Sequence, residues 1–418
     1  MYNNKYVNVR TIVLNSIILV LGCAISVSCT AIETDTTGQA PNTSSQIEAM
    51  VYNWFTNSQL ENGLIPSTDE GTVVSLYDNA LAVIVFLIHE DFDRAEKVLD
   101  YFNSHIQSEL KNYKGIPTAD APGGFAQFRD TSGKILDDIR WMGDNCWLLI
   151  AVRNYHQMAD NSKYSEMEAG LINWISALQN SDGSLKGGFQ PNEEGMMTEI
   201  HPITEGMIDA FNALPGYTDI HIGLLEFLES KRWDASKGLL VAWPNPPNPD
   251  WKFALDTIPW GYLGLQDFPQ STLAQAETLF LNEQQAKAKD IVISGFCADM
   301  ERNHVWLEGN GQMMTAYIQA NMTEKAEYYR KEMEKLFLES PIHDNAGGFP
   351  YVANIDNTTS FGGADFWDGA DTAIALSSGA WYLFSAKGFN PMEVGYSKEI
   401  PEDDLFWRDA GSMDRYLQ

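Results

Sequence analysis

Basic residues are scarce in this chain: 27 Lys plus Arg stand against 57 Asp plus Glu in 418 residues, a net charge of −30. A surface so poor in cations repels phosphate backbones and anionic headgroups, which argues against nucleic acid as a partner. Cysteine is scarcer still, with four in all. Two of them, Cys23 and Cys29, fall in the N-terminal apolar stretch. The others, Cys146 and Cys297, lie far apart in apolar segments and read as buried free thiols rather than a disulfide. There are only seven histidines, and no CxxC, HExxH or glycine-rich phosphate loop, so no metal or cofactor is expected. Low-complexity blocks are absent and strand-like alternation is rare. What is plentiful is aromatic: 12 Trp, 17 Tyr and 20 Phe exclude an acidic solvating coil and provide for a large core.

The first 29 residues have the layout of an export signal. Lys5 and Arg10 precede an apolar run from Ile12 to Val27, which ends at Ser26-Val27-Ser28-Cys29. The run is too short and too interrupted by polar residues for a good spanning helix. It resembles a lipoprotein signal in which Cys29 becomes the lipidated N-terminus, with Val20-Leu21-Gly22-Cys23 as a second cleavage box. Residues 30–45 are polar and read as a flexible tether. The expected location is the cell envelope, lipid-anchored to a membrane in the periplasm or at the cell surface, with no obligate protein partner.

Beyond the tether, two kinds of helical segment alternate. One kind is amphipathic, as in Ile47, Met50, Val51, Trp54 and Phe55, or Phe92, Ala95, Val98, Leu99 and Phe102. The stripe returns over 164–178, 220–228 and 326–337, and less regularly over Leu273 to Ile291. The other kind is apolar or small nearly all round, such as Ala80 to Ile88, Cys146 to Val152 and Ala370 to Ala386. A helix with one wet side lies on the outside; one with none is buried on every side. Six outer–inner pairs predict an all-α (α/α)6 toroid. An open stack would need polar terminal helices, and the last pair is as apolar as the rest. The reading is one domain over 46–390, followed by a C-terminal extension over 391–418 that packs on the ring.

Each inner segment opens with an acid: Asp78, Asp144, Glu205, Asp256, Glu308 and Asp371. In such a ring the inner helices run parallel, so these six acids gather at one mouth. The loops that end there are rich in tryptophan, including Trp141, Trp260, Trp306 and Trp367. Aromatic faces stack on sugar rings and carboxylates accept hydrogen bonds from hydroxyls, so the mouth suits a poly- or oligosaccharide. Two carboxylates with separated pKa values perform glycoside hydrolysis. Glu205 is read as the general acid and Asp144 or Glu308 as the base, with Asp78 in reserve. Trp141, His201, Asp256, Trp260, His304, Trp306, Trp367 and Asp371 are read as substrate-binding. The plainer account is that Asp78, Asp144 and Asp371 are helix caps, with Thr204 capping the helix of Glu205. His201 and His304 each lie four residues before a glutamate, and neutral His would serve a lyase or epimerase. A lyase would also need cations to neutralise a uronate, for which Arg129, Arg140 and Lys252 are the candidates.

With this layout, and with phrases such as Tyr77-Asp78-Asn79-Ala80-Leu81-Ala82, Thr204-Glu205-Gly206-Met207-Ile208-Asp209 and Val305-Trp306-Leu307-Glu308-Gly309, residues 45–390 resemble the six-hairpin glycosidase superfamily. That superfamily includes bacterial glycoside hydrolases, some polysaccharide lyases and epimerases. The resemblance implies glycan chemistry, most often hydrolysis with inversion, and no metal. A polysaccharide lyase, a sugar epimerase or a non-catalytic glycan-binding lipoprotein remain the alternatives.

Overall fold

The structure is a computed structural model, and it describes residues 42–354, 369–395 and 398–408. The leader, Cys29, most of the tether, Trp367 and the last ten residues lie outside the described residues. Twelve α-helices follow in order: α1 (Ser44–Ser58), α2 (Leu76–Ile88), α3 (Phe92–Ser104), α4 (Met142–Met158), α5 (Ser165–Ser176), α6 (Thr204–Ala213), α7 (Asp219–Arg232), α8 (Thr257–Gly264), α9 (Ser271–Phe280), α10 (Leu307–Gln319), α11 (Thr323–Lys335) and α12 (Leu376–Lys387).

The even-numbered helices pack in sequence, α2 on α4, α4 on α6, and so on to α10 on α12, and α12 packs back on α2. The ring closes because these six have no polar face to turn outward. All but two residues of α2 are buried, and so is the whole of α12 up to Ser385. The odd-numbered helices bury one stripe each, for example Ala95, Val98, Leu99 and Phe102 in α3. Helix α1 starts at Ser44, inside the segment read as a tether. Thr43 caps it by accepting from the Gln46 amide at 3.3 Å, while Gln46 Oε1 accepts from the Thr43 amide at 2.8 Å.

The two ends of the ring differ. Connectors from each inner helix to the next outer one are 3 to 6 residues long, whereas those leading into the inner helices run 17 to 40 residues. All elaboration therefore stands on the face where the inner helices begin. The short strands belong to these long connectors, which is where the structure departs from the expected pattern. The stretch Leu273 to Ile291 is helical only to Phe280; Leu281–Ala286 then pairs antiparallel with Ile291–Phe296. Its β-branched Ile291-Val292-Ile293 favours a strand over a helix.

A recurrent asparagine ties the connectors to the ring. Asn79 and Asn145 each donate to the carbonyl four residues back, at 2.9 and 2.8 Å, and exchange two bonds with a loop residue, Ile65 or Phe125. Asn310 donates likewise to Trp306 O and accepts from the Phe296 amide at 3.4 Å. Each follows an acid of the mouth by one or two residues, so the loop is fixed beside that acid.

The far end of the ring is covered by the segment after α12. Asn154 and Asn212, low on α4 and α6, donate to Pro391 O and Met392 O. Met392, Val394, Ile400, Leu405 and Trp407 are buried. The Trp407 indole N–H donates to Gln266 O at 3.1 Å and its ring meets Phe268. Trp407→Ala is therefore expected to cost about 3–5 kcal/mol of stability, measured by urea denaturation; a loss below 1 kcal/mol would mean the extension is not integral to the ring.

Candidate active site

The acids enter the site through the first turns of the inner helices. Asp78 and Asp144 are the third residues of α2 and α4, and Glu205 and Glu308 the second residues of α6 and α10. Asp256 is the residue just before α8. Asp78 and Asp144, read in the plainer account as caps, stand inside their helices and not at the cap position. Ser75 caps α2 by accepting from the Asp78 amide at 3.3 Å, and the other four helices have no side-chain cap bond. Thr204 is already helical, and its hydroxyl donates to Val241 O at 2.7 Å. The glycines after the two glutamates act through close approach. A Cβ on Gly206 would meet Met142 at 3.0 Å, and one on Gly309 would meet the Trp306 ring at 2.3 Å and Leu255 at 2.7 Å. Removing Cβ lets α6 approach α4 and lets Trp306 fold against α10.

The sixth expected acid is misplaced. Asp371 lies in a turn before α12, which begins only at Leu376, and its carboxylate faces Lys287 at 3.7 Å. The place of an acid on α12 is taken by Ser377, which hydrogen-bonds Glu308. A sixth carboxylate does join the cluster, from a position the sequence reading passed over. Asp209, one turn beyond Glu205 on α6, is 2% exposed. Its signal in the sequence was the i, i+4 spacing from Glu205, which places both on one face.

Burial is the main cause of every shift in this cluster. It raises Asp78 to about 7 and Asp144 to about 8, and neighbouring carboxylates add to both. Asp209 and Asp256 are held well above the usual carboxylate range, again by burial and then by their acidic neighbours, which for both include Glu205. Glu205 is raised by burial, and the Arg232 guanidinium draws it part of the way back. One carboxylate oxygen on each of Asp144, Asp209 and Asp256 is buried without a hydrogen-bond partner among the described residues. Glu308 differs. Burial raises it to about 7 against three donors. Tyr77 donates to its Oε1 at 2.7 Å, Gln312 at 3.2 Å, and Ser377 adds a third bond. Tyr77 is in turn held by the Trp381 indole N–H at 3.0 Å.

Below the acids, aromatic rings from four inner helices meet across the lumen. Trp147 of α4 contacts Tyr77 of α2, Trp260 of α8 and Trp381 of α12, with ring centroids 5.5 to 5.7 Å apart. Glu205 and Asp256 stay partly exposed above this floor, as does Trp141 just before α4, and Tyr77 within the floor is itself partly exposed. Trp306 is buried edge-on to Tyr351, whose phenol feels the charges of Glu308 and Asp78. Trp260 and Trp306 are thus part of the site; Tyr77, Ser377, Trp147, Trp381 and Tyr351 complete it.

The histidines are not. His304 is buried, its Nδ1 2.7 Å from Asn303 Oδ1 and its Nε2 accepting from the Ala298 amide at 3.4 Å. Burial lowers its pKa to about 4. It holds the loop against Leu255, whose amide donates to Ala298 O. His201 is exposed and forms no hydrogen bond to any of the acids among the described residues. Cys146 and Cys297 are buried and unpaired. Among the described residues no three His, Cys, Asp or Glu are grouped to hold a metal ion, and no helix is long and apolar enough to cross a membrane.

The backbone matches solved glycan enzymes. A wild-type glycosidase superposes with TM-score 0.58 at 12% identity, covering 83% of this chain and 98% of its own. The cellobiose 2-epimerase of Bacillus thermoamylovorans superposes with TM-score 0.54 at 11% identity, covering 82% and 97%. An alpha-amylase of Clostridium perfringens gives 0.54 at 10% identity, covering 84% and 99%. The chain shares the (α/α)6 fold of these structures. No protein-family model matches it, and no curated protein sequence does.

The raised carboxyls bind their protons more tightly folded than unfolded. Their contribution to stability is therefore complete below about pH 4 and is lost as pH rises through 7 to 8. Asp144→Asn removes one such group without changing shape. It should melt at the wild-type temperature near pH 4 and several degrees higher at pH 8, followed by thermal unfolding across pH; a variant less stable at pH 8 would show Asp144 ionised in the fold.

Proposed function

We propose that this protein is a glycoside hydrolase that cleaves a neutral or weakly charged oligosaccharide or polysaccharide with inversion, anchored through lipid on Cys29 at the cell envelope. The observation that carries the reading is the contrast within one carboxylate cluster: Glu308 is met by three side-chain donors, whereas Asp144 has Gln127, Asp209 has Trp147 and Asp256 has only backbone amides. Each of these three aspartates buries one oxygen with no partner among the described residues. Donors favour a carboxylate, and burial without donors favours a carboxylic acid. One fold thereby prepares a base and an acid a short distance apart.

Glu308 is the base in this reading. The acid comes from the Glu205–Asp256 pair, which is partly exposed and so accessible to substrate. Of the two, Asp256 keeps the proton, because burial and the charges of Glu205 and Glu308 hold it well above its ordinary range, whereas Arg232 favours ionised Glu205. This moves the acid role from Glu205, where the sequence placed it, to its neighbour. In the reaction, Asp256 gives its proton to the glycosidic oxygen as the C–O bond breaks toward that oxygen. Glu308 takes a proton from the water whose oxygen bonds to the anomeric carbon. Solvent exchange then returns both groups to their starting states.

A sugar epimerase is the second reading, favoured by the shared fold of the cellobiose 2-epimerase; against it, His304 is engaged with Asn303 and the Ala298 amide, and His201 is exposed. The three cations considered for a uronate are each engaged: Arg129 with Glu109 at 3.2 Å, Arg140 with Glu109 and Asp138, and Lys252 with Asp234 at 2.6 Å.

Release of reducing sugar from a glycan panel tests the assignment. Glu308→Gln should lower turnover at least about 1,000-fold on every substrate. Asp256→Asn should do so on oligosaccharides yet retain activity on glycosyl fluorides, whose leaving group needs no proton. Loss of fluoride cleavage in Asp256→Asn, or its survival in Glu308→Gln, would reverse or remove the roles. An unsaturated uronate product would instead establish a lyase.

A further inference from the structure

The connector into α8 contains a loop, residues 241–254, whose two ends are fixed beside the acid pair. At its start, Val241 O accepts from the Thr204 hydroxyl, next to Glu205. At its end, the chain runs directly into Leu255 and Asp256, and Leu255 is held by Ala298 O at 2.9 Å. The amides of Ala242 and Trp243 both donate to Lys252 O, at 3.0 and 3.3 Å, which closes the loop at its base. Within it stand Pro244, Pro246, Pro247 and Pro249, and a 3-10 turn over Pro249–Trp251 capped by Asn248. These four prolines fix φ at four of the six positions from 244 to 249, so this part of the loop is a stiff wall. Trp243 and Trp251 stack inside it with centroids 5.8 Å apart and planes 24° from parallel. Both remain partly exposed, which is unusual for two large rings already packed on each other.

We propose that Trp243, backed by Trp251, is the stacking platform for the sugar on the leaving-group side of the scissile bond. This rests on the hydrolase reading above. The side is set by connectivity: the wall ends at Asp256, and the group that protonates the glycosidic oxygen lies against the departing sugar. Trp147, Trp260, Trp381 and Tyr77 meet across the lumen beneath the mouth, so a glycan reaches the acids from the side on which this wall stands. A tryptophan backed by another presents a flat face at little ordering cost, and such a face suits the C–H side of a pyranose.

The test compares glycosyl fluorides, which occupy only the acid-lined side, with the matching oligosaccharides of two to six gluco-, manno- or xylo-units. Wild type should cleave both classes. Trp243→Ala should raise KM for the disaccharide about tenfold and KM for the fluoride less than twofold, and Trp243→Phe should recover most of the loss. Equal changes on both substrate types would overturn the platform. A wild type that cleaves neither class defeats the hydrolase reading instead. Calorimetric titration of the same oligosaccharides then decides the platform alone: tenfold weaker binding by Trp243→Ala supports it, and equal affinity, or no binding by wild type, overturns it.

Discussion

Desolvation of carboxyl groups is the constraint on which the site depends. Water would ionise six neighbouring acids and drive them apart. Protein around them makes the ionised forms costly, so most of the cluster stays neutral and can remain together. The ring supplies that environment because its inner helices have no polar side to expose. The same apolar helices that exclude solvent from the core bring their first turns, and the acids there, to one mouth.

Such a cluster has a function only if its members differ. Three features distinguish them. Tyr77, Gln312 and Ser377 donate to Glu308; Arg232 acts on Glu205; Asp144, Asp209 and Asp256 have buried oxygens with no donor. The Tyr77 bond is itself set by Trp381, which also helps close the lumen. Floor and Glu308 are thus one construction, and a change in the aromatic packing would reach that carboxyl through a single hydroxyl.

The length asymmetry of the connectors makes the second division of labour. Short turns at one end leave the ring to be covered by residues 391–395 and 398–408, while long connectors at the other carry strands, tryptophans and the proline-rich wall. Asn79, Asn145 and Asn310 join the two parts, each bonded both to its own helix and to an arriving loop. Substrate-facing parts can vary in such a design while the ring beneath them keeps its packing.

The alternation of one-sided and all-apolar segments was enough to determine the ring, since a helix with no polar face has nowhere to go but inside. The placement of five of the six opening acids followed from that. Asp371 did not, because its helix starts later than the run of small residues suggests, and Ser377 stands there instead. Asp209 was legible only as a spacing. The roles of the histidines, the partners of Glu308 and the pairing of Arg129, Arg140 and Lys252 belonged to the tertiary structure alone. Apart from Gln312, one turn along α10 from Glu308, and Asp138 beside Arg140, these depend on which side chains from distant helices and connectors arrive at the same place, and periodicity along a chain records a face but not what comes to meet it.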